Sequence, residues 1–115
     1  MRSPTQRIGD AAEDVALARL EAAGLELVAR QVRSRFGEID LIMRDRGEWV
    51  FVEVRQRSRS AFGGAAASVT RAKQERLRRS AQAWLQQREG SRMAACRFDV
   101  FAIDGQTIEW IRNAF

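Results

Sequence analysis

The stretch that decides the fold is GEIDLIMRDRGEWVFVEVR, residues 37–55. Apolar residues alternate with other types on both sides of Asp45-Arg46-Gly47-Glu48, which has the composition of a tight turn. This pattern predicts two antiparallel strands joined by that turn. The first strand would place on one face Ile39, Leu41 and Met43. The second would place on one face Val50, Val52 and Val54, and on the other Trp49, Phe51, Glu53 and Arg55.

Two carboxylates of this hairpin are the strongest candidates for chemistry. The turn brings Asp40 and Glu53 onto adjacent strands, where the Cβ atoms of neighbours lie about 5 Å apart. Acids in apolar strands are costly unless a cation or an arginine pairs with them. The alternative is that Asp40 pairs with Arg55, and Glu53 with another arginine, as plain salt bridges. We favour a metal site, because both acids and an arginine two residues after Glu53 fall on one predicted hairpin.

The rest of the chain predicts helices and strands around this hairpin. Apolar residues recur at helical spacing between Pro4 and Gly24, namely Ile8, Ala12, Val15, Ala16, Leu20 and Ala23. The remaining elements are predicted, in order, as a strand at 25–32, a loop at 56–68, a helix at 69–87 and two strands at 96–103 and 106–111. We therefore expect one α/β or α+β domain, residues 1–115, with helices packed against a central mixed β-sheet.

Composition excludes several kinds of active site. The 115 residues contain no histidine and one cysteine, Cys96, which excludes Ser-His-Asp and Cys-His catalysis and zinc sites built from Cys or His. A bound metal would need oxygen ligands, which favours magnesium, manganese or calcium. The single cysteine indicates a reducing compartment, and neither a membrane-spanning run nor a secretory signal is evident. We therefore expect a cytoplasmic protein that does not associate with membranes.

The basic residues are concentrated in the middle of the chain. Residues 55–97 carry eleven basic and two acidic side chains, whereas the segments before and after are each net acidic. All the basic residues are arginine except Lys73, and the planar guanidinium suits phosphate oxygens. This distribution is typical either of a surface that binds a polyanion or of a solvated helix face, and charge alone favours neither.

The motifs resemble those of known proteins. Asp40 with Glu53-Val54-Arg55 resembles the D…(D/E)xK site of restriction-endonuclease-like nucleases, with arginine at the lysine position. GEIDLI, VFVEVRQR, Lys73 and Arg97-Phe98-Asp99-Val100 together resemble the bacterial YraN family, which is similar in layout to archaeal Holliday-junction resolvases. The resemblance covers nearly the whole chain. It implies a restriction-endonuclease-like α/β fold, with elements in αβββαβ order and an extra C-terminal strand.

The resemblance also implies roles for individual residues. Asp40, Glu53 and the backbone carbonyl of Val54 would bind a metal, magnesium or manganese. Arg55 would hold the attacking water or the scissile phosphate. An early helix with an acid belongs to the same family pattern, matched here by Gly9 and Glu13, so Glu13 would reach the site directly or through water.

Lys73 forms a separate hypothesis. Arginine stays protonated, so Arg55 cannot act as a general base. We expect Lys73, on the inward row of the second helix, to point toward the acids and to fill part of the missing lysine's role. The alternatives are a salt bridge to Glu53 or an amine that extends to solvent.

The expected partner is nucleic acid, in particular DNA. Contacts to its backbone are expected from Gln56, Arg57, Arg59, Arg71, Arg76, Arg78 and Arg79. No base-reading element is evident, so recognition would rest on phosphates and shape. Phe36 and Phe62 could stack on bases, although buried packing is the better interpretation for single phenylalanines. A resolvase-like nuclease would need two sites and hence a homodimer, for which an edge strand near the C-terminus offers a contact.

Three functions fit the sequence. The first is a metal-dependent nuclease acting on DNA, on branched or single-stranded forms. The second is a nucleic-acid-binding module whose site became degenerate when arginine replaced lysine at position 55. The third is a small protein-interaction domain whose acids only make salt bridges. Composition does not separate the first two.

Overall fold

The structure, a computed structural model, describes residues 4–57, 64–90 and 94–115, with side chains from residue 9 onward in the first helix. The elements are α1 (Pro4–Ala22), β1 (Glu26–Ser34), β2 (Gly37–Asp45), β3 (Glu48–Arg57), α2 (Gly64–Ala67), α3 (Arg71–Glu89), β4 (Cys96–Asp104) and β5 (Thr107–Ile111). The predicted order of helices and strands is present, with the short helix α2 added. Within these described ranges, no helix is long and apolar enough to cross a lipid bilayer.

One five-stranded mixed sheet forms the centre of the fold, with the strands in their sequence order. Strands β1, β2 and β3 form an antiparallel meander, and β4 and β5 form an antiparallel hairpin. The β3–β4 pair is parallel, so the chain must cross from one end of the sheet to the other between them, and α3 makes that crossing. The protein is therefore an α/β protein, as predicted.

The β2–β3 turn follows the prediction closely. Asp45 pairs with Glu48, and the two residues between them, Arg46 and Gly47, have φ of 53° and 87°. Two consecutive positive φ values are typical of the two-residue turn that matches the twist of a hairpin. The register that follows pairs Leu41 with Val52.

Each face of the sheet is covered by one long helix. The core under α1 is built from Ala12, Ala16, Leu20, Leu25, Leu41, Met43, Val50, Val52, Phe101 and Ile103. The core under α3 is built from Ile39, Ile42, Trp49, Phe51, Ala65, Val69, Leu77, Ala81, Val100 and Ala102. The predicted alternation of β3 is confirmed, because its valines face α1 while Trp49 and Phe51 face α3.

Some predicted boundaries and faces are wrong. Strand β3 continues through Gln56 and Arg57, and α2 occupies part of the predicted loop. Helix α3 begins at Arg71 because the Thr70 side chain accepts the Lys73 N–H, at 3.3 Å, and caps the helix. Val15 of α1 is exposed.

Ile39 also departs from the prediction, because it packs with Ile42 under α3 and not with Leu41. Gln31, on the neighbouring strand between the pairs Arg30–Leu41 and Val32–Ile39, has φ of 51°. A left-handed residue within a strand bends it locally and changes the direction in which side chains point. The alternation of β2 is therefore broken beside Asp40.

Asp99 fixes the far end of the sheet. Its carboxylate is fully buried and accepts hydrogen bonds from Arg97 Nε (3.0 Å), Trp110 Nε1 (2.9 Å) and the Asn113 N–H (3.0 Å). Arg97 also pairs with two acids of the β2–β3 turn region, Asp45 at 3.0 Å and Glu48 at 3.2 Å. The cluster therefore joins the β2–β3 hairpin, β4, β5 and the C-terminal residues.

Replacement of Asp99 tests how much the sheet depends on this cluster. Removing one partner of a buried ion pair leaves the other charge uncompensated and costs about 3–5 kcal/mol. We expect Asp99→Ala to lower the free energy of unfolding by about that amount in urea titrations. The exposed Glu109→Ala on β5 is the control and should change it by less than about 0.5 kcal/mol. Equal stabilities of the two variants would contradict the role given to Asp99.

Candidate functional site

The candidate site forms where β2 and β3 stop pairing. The backbone register between them runs from the turn to Leu41–Val52 and no further. Beyond this pair the Asp40 carboxylate accepts the Val54 N–H at 2.8 Å, so a side chain occupies the place of a backbone acceptor. The strands separate here, and the gap brings Asp40 next to Glu53.

The carboxyl groups of Asp40 and Glu53 converge in this gap, close enough to share a hydrogen bond. Burial of Asp40, together with the hydrogen bond and the negative charge of Glu53, raises the pKa of Asp40 to about 9. Two carboxylates at this separation cannot both be ionised without a counter-charge. At neutral pH the pair must hold either one proton or a cation.

Glu13 approaches the pair from α1. Its side chain is 7% exposed and accepts a hydrogen bond from Gln31 Nε2 at 3.2 Å, while Arg30 lies 3.6 Å away. Burial raises the pKa of Glu13 to about 7, and the charge of Asp40 adds to the rise. The structure therefore brings Glu13 into electrostatic contact with Asp40 from the α1 face.

Lys73 approaches from the opposite face. Lys73 and Arg76 of α3 line a cavity of about 150 Å³ together with Glu38 and Glu53. Burial lowers the pKa of Lys73, and the positive charge of Arg55 adds to the effect. Lys73 and Glu53 thus line one cavity, and the role of the amine beside the acids stays a prediction.

Arg55 is held by a contact that the sequence did not predict. Its Nε donates to Ser68 Oγ at 2.8 Å, directly after the short helix α2. That helix is itself fixed by the Ala65 N–H, which donates to Asp104 at 2.8 Å. Arg55 is half-buried, so its guanidinium is a positioned cation beside Asp40. No sequence signal distinguished Ser68 from other loop serines.

The predicted nucleic-acid contacts are distributed unevenly. The described ones are all exposed, namely Gln56, Arg57, Arg71, Arg76, Arg78 and Arg79. Arg76 lines the cavity of the acids, whereas Arg79 lies 3.5 Å from Glu75 on its own helix. Arg78 lies over the Phe115 ring, 5.3 Å from its centroid, and away from this cavity. Arg59 and Phe62 lie outside the described residues.

The donor set fits a hard cation in part. Asp40 and Glu53 supply two carboxylates, and Val54, whose N–H fixes Asp40, is the residue whose carbonyl the resemblance implies as a third ligand. Among the described residues, no group of three or more acidic or cysteine side chains surrounds one point. A metal here would therefore need the backbone oxygen and water to complete its shell, which is usual for magnesium.

Fold and site together define the class: a small α/β protein with a mixed sheet and a paired-carboxylate site at a strand separation. The family model described as "Uncharacterised protein family UPF0102" matches residues 12–103. The chain therefore belongs to the UPF0102 family. This agrees with the resemblance to YraN proteins seen in the sequence motifs.

Individual relatives support this assignment over most of the chain. A UPF0102 protein of Ralstonia nicotianae is 60% identical over 111 residues, covering 93% of this chain and 85% of the relative. The UPF0102 protein YraN of Salmonella newport is 53% identical over 111 residues, covering 96% and 85%. A UPF0102 protein of Shewanella loihica is 53% identical over 107 residues, covering 93% and 92%.

The acidic pair predicts a pH-dependent stability in metal-free protein. Above about pH 4 an unfolded aspartate is ionised, whereas the folded pair keeps its proton until the pKa of Asp40, about 9. Folding therefore binds a proton between these values, and the free energy of unfolding falls as pH rises through this window. Asp40→Asn can still accept the Val54 N–H and can donate to Glu53, so we expect it to remove the part of this fall that the acidic pair causes, while Glu13, whose pKa is raised to about 7 mainly by burial, keeps its own part.

Thermal unfolding of metal-free protein between pH 5 and 9 measures the effect. The melting temperature of the wild type should decline more steeply with pH than that of Asp40→Asn, and the variant should be the more stable at the upper end. Glu26→Gln removes an exposed acid on β1 and should leave the wild-type slope unchanged. Parallel curves for wild type and Asp40→Asn would show that the acids do not share a proton.

Proposed function

We propose that this protein is a metal-dependent nuclease that hydrolyses DNA phosphodiesters, with magnesium or manganese bound by Asp40, Glu53 and the Val54 carbonyl. The observation that carries the proposal is the convergence of Asp40 and Glu53 in the gap between β2 and β3. At neutral pH such a pair needs a proton or a positive counter-charge, and a divalent ion would supply the latter. Under this proposal, the fold belongs to the restriction-endonuclease-like class and the protein acts in the cytoplasm.

The chemistry divides between the ion and the side chains. A bound divalent ion lowers the pKa of a water molecule and offsets charge on the phosphoryl oxygens. Asp40 and Glu53 would hold that ion, and Glu13 would reach the site directly or through water. Arg55, fixed by Ser68, stabilises negative charge that develops at the phosphate.

Among the cations of the cavity, Lys73 is the one that can exchange a proton. Arg55 remains protonated at every working pH, whereas the pKa of Lys73 is lowered by burial and by the charge of Arg55. Its position on the same cavity as Glu53 supports a role in receiving or returning a proton near the phosphate. The deprotonated fraction of Lys73 grows with pH, so this role favours alkaline conditions.

DNA would lie along the end of β3 and the exposed side of α3. Gln56 and Arg57 extend from the strand that carries Glu53, and Arg71 and Arg76 flank Lys73 on the helix. These exposed cations suit phosphate contacts, which give affinity without reading sequence. A homodimer through the edge strand β5 would supply two such sites.

One observation favours a second candidate, a nucleic-acid-binding module without cleavage. Arg55 stands where the nuclease pattern has lysine, and its Nε is engaged by Ser68. A site in which this side chain only holds the loop would still bind phosphates. The two candidates differ in whether bonds are cut.

Cleavage assays separate the candidates directly. We expect the wild type to cut at least one of duplex, branched and single-stranded DNA with magnesium or manganese, and to stop when EDTA is added. Asp40→Asn and Glu53→Gln should each lower the cleavage rate by roughly a hundredfold or more. This is larger than the effect of mutating a residue that only supports a metal ligand, which is about 10- to 100-fold. Glu109→Gln is the charge-matched control. Binding without metal-dependent cutting by the wild type would support the binding module instead.

The proposed DNA surface predicts a defined salt dependence. Each phosphate neutralised on B-DNA contributes about 0.9 to the slope of log affinity against log salt concentration. Arg76→Ala should weaken DNA binding for all sequences and reduce the magnitude of that slope by about one. Arg19→Ala, at the end of α1, removes the same charge elsewhere and should leave the slope unchanged in fluorescence anisotropy titrations. Equal effects of the two variants would argue against this surface.

A further inference from the structure

Two cavities adjoin along α3. The cavity of about 150 Å³ that contains Glu53 and Lys73 is also lined by Phe36 and Ser80. These two residues line a second, larger cavity of about 420 Å³ as well. A ligand that places a phosphate at Glu53 and Lys73 therefore has space to continue past Phe36.

The backbone of Phe36 is held at the junction of the two cavities by its turn. The Phe36 N–H donates to Ser34 Oγ at 3.1 Å, and Ser34 Oγ lies 3.1 Å from Ser80 Oγ of α3. The side chain is only half-buried, so the interpretation of Phe36 as a packing residue is incomplete. A half-exposed ring on a turn that is tied to α3 offers an aromatic surface to a ligand.

The opposite wall of the larger cavity is also aromatic and well supported. Trp84 lines it and is held by edge contacts with Trp49 and Phe51, whose ring centroids lie 5.0 and 6.1 Å away. Gln87 lies on the same wall and offers an amide for hydrogen bonds. The cavity thus combines flat apolar walls with a polar group, which suits a planar heterocycle.

The smaller cavity is lined by both acids and cations, whereas the charged residues that line the larger cavity are arginines. The smaller cavity carries Glu38 and Glu53 beside its cations. The larger one carries Arg33 and Arg35, and the Arg35 guanidinium lies 4.8 Å from the centroid of the Phe36 ring. Arginine next to an aromatic ring is the arrangement that binds a base by stacking and its phosphate by charge.

We propose that the larger cavity binds an unpaired nucleobase adjacent to the phosphodiester, stacked on Phe36, with Arg33 and Arg35 on its phosphates. The inference rests on the proposed function, because the phosphodiester itself is placed at the acidic pair. A base within a duplex is stacked on its neighbours and cannot enter a recess between a turn and a helix. The preferred substrate therefore has at least one unpaired nucleotide beside the bond at the metal site.

Binding measurements without turnover test this. Calcium replaces magnesium, and fluorescence anisotropy compares a blunt DNA duplex with the same duplex carrying a short single-stranded overhang. The wild type should bind the overhang duplex more tightly. Phe36→Ala should lose about tenfold in affinity for the overhang duplex, the scale of one base–aromatic stack, and should bind the blunt duplex as before.

Two further variants keep the test independent of folding. Phe36→Leu retains apolar bulk without a ring and should behave as Phe36→Ala, whereas Phe36→Trp should retain the preference. Phe115→Ala is the matched control, because Phe115 is also a half-buried ring beneath an arginine, Arg78. Equal binding of both duplexes by the wild type, or equal losses for both in Phe36→Ala, would overturn the inference.

Two further measurements ask whether the bound base comes from RNA or DNA, and whether the base preference depends on the acidic pair. An overhang of ribonucleotides distinguishes RNA from DNA, and the inference requires a preference over the blunt duplex with at least one of them. Asp40→Asn should retain the preference, because it leaves the larger cavity intact. A wild type that prefers the overhang duplex but cuts no DNA would refute the nuclease and not the base subsite. A wild type that cuts DNA without this preference would do the reverse.

Discussion

The hydrogen bond from the Val54 N–H to the Asp40 carboxylate is the contact on which the candidate site depends. It ends the pairing of β2 and β3 by giving a backbone donor a side-chain partner. Since a buried N–H without an acceptor is costly, the strands can separate here only because Asp40 supplies one. The same carboxylate is thereby held against Glu53, so the hydrogen bond that lets the two strands separate also creates the close pair of acids.

The sheet brings groups from both of its faces to this opening. Helix α1 covers one face and presents Glu13, while α3 covers the other and presents Lys73. An acid from α1 and a cation from α3 therefore flank the gap. The buried Arg97–Asp99 cluster holds the hairpin against β4 at the opposite end of the strands, which leaves the open end free to carry charge that does not contribute to packing.

Much of this arrangement was predictable because it follows from strand periodicity. Alternation and a two-residue turn placed Asp40 and Glu53 on neighbouring strands, and helical spacing placed Lys73 on the row of Leu77. The break in alternation at Ile39 was not predictable, because it goes with a left-handed glutamine, Gln31, which no propensity favours.

The contacts of Gln31 and Ser68 were also missed for a physical reason. Gln31 donates to Asp10 and Glu13, and Ser68 accepts from Arg55. Each contact joins elements far apart in sequence and depends on how they pack, which a local pattern does not encode. Asp40 and Glu53 follow a turn and an apolar alternation that the sequence displays, so they were visible, whereas Gln31 and Ser68 lie where no local pattern marks them.

The same irregularity at Gln31 affects how copies of this chain can meet. Strand β1 lies at an open margin of the sheet, and its main-chain groups would otherwise invite a second molecule to add a strand. Two irregularities interrupt the row of main-chain groups along β1. One is the register shift between Leu27 and Ala29, and the other is the left-handed backbone of Gln31. These irregularities disfavour open-ended strand addition at β1. A second molecule that extended the sheet would therefore pair with β5, which has five residues.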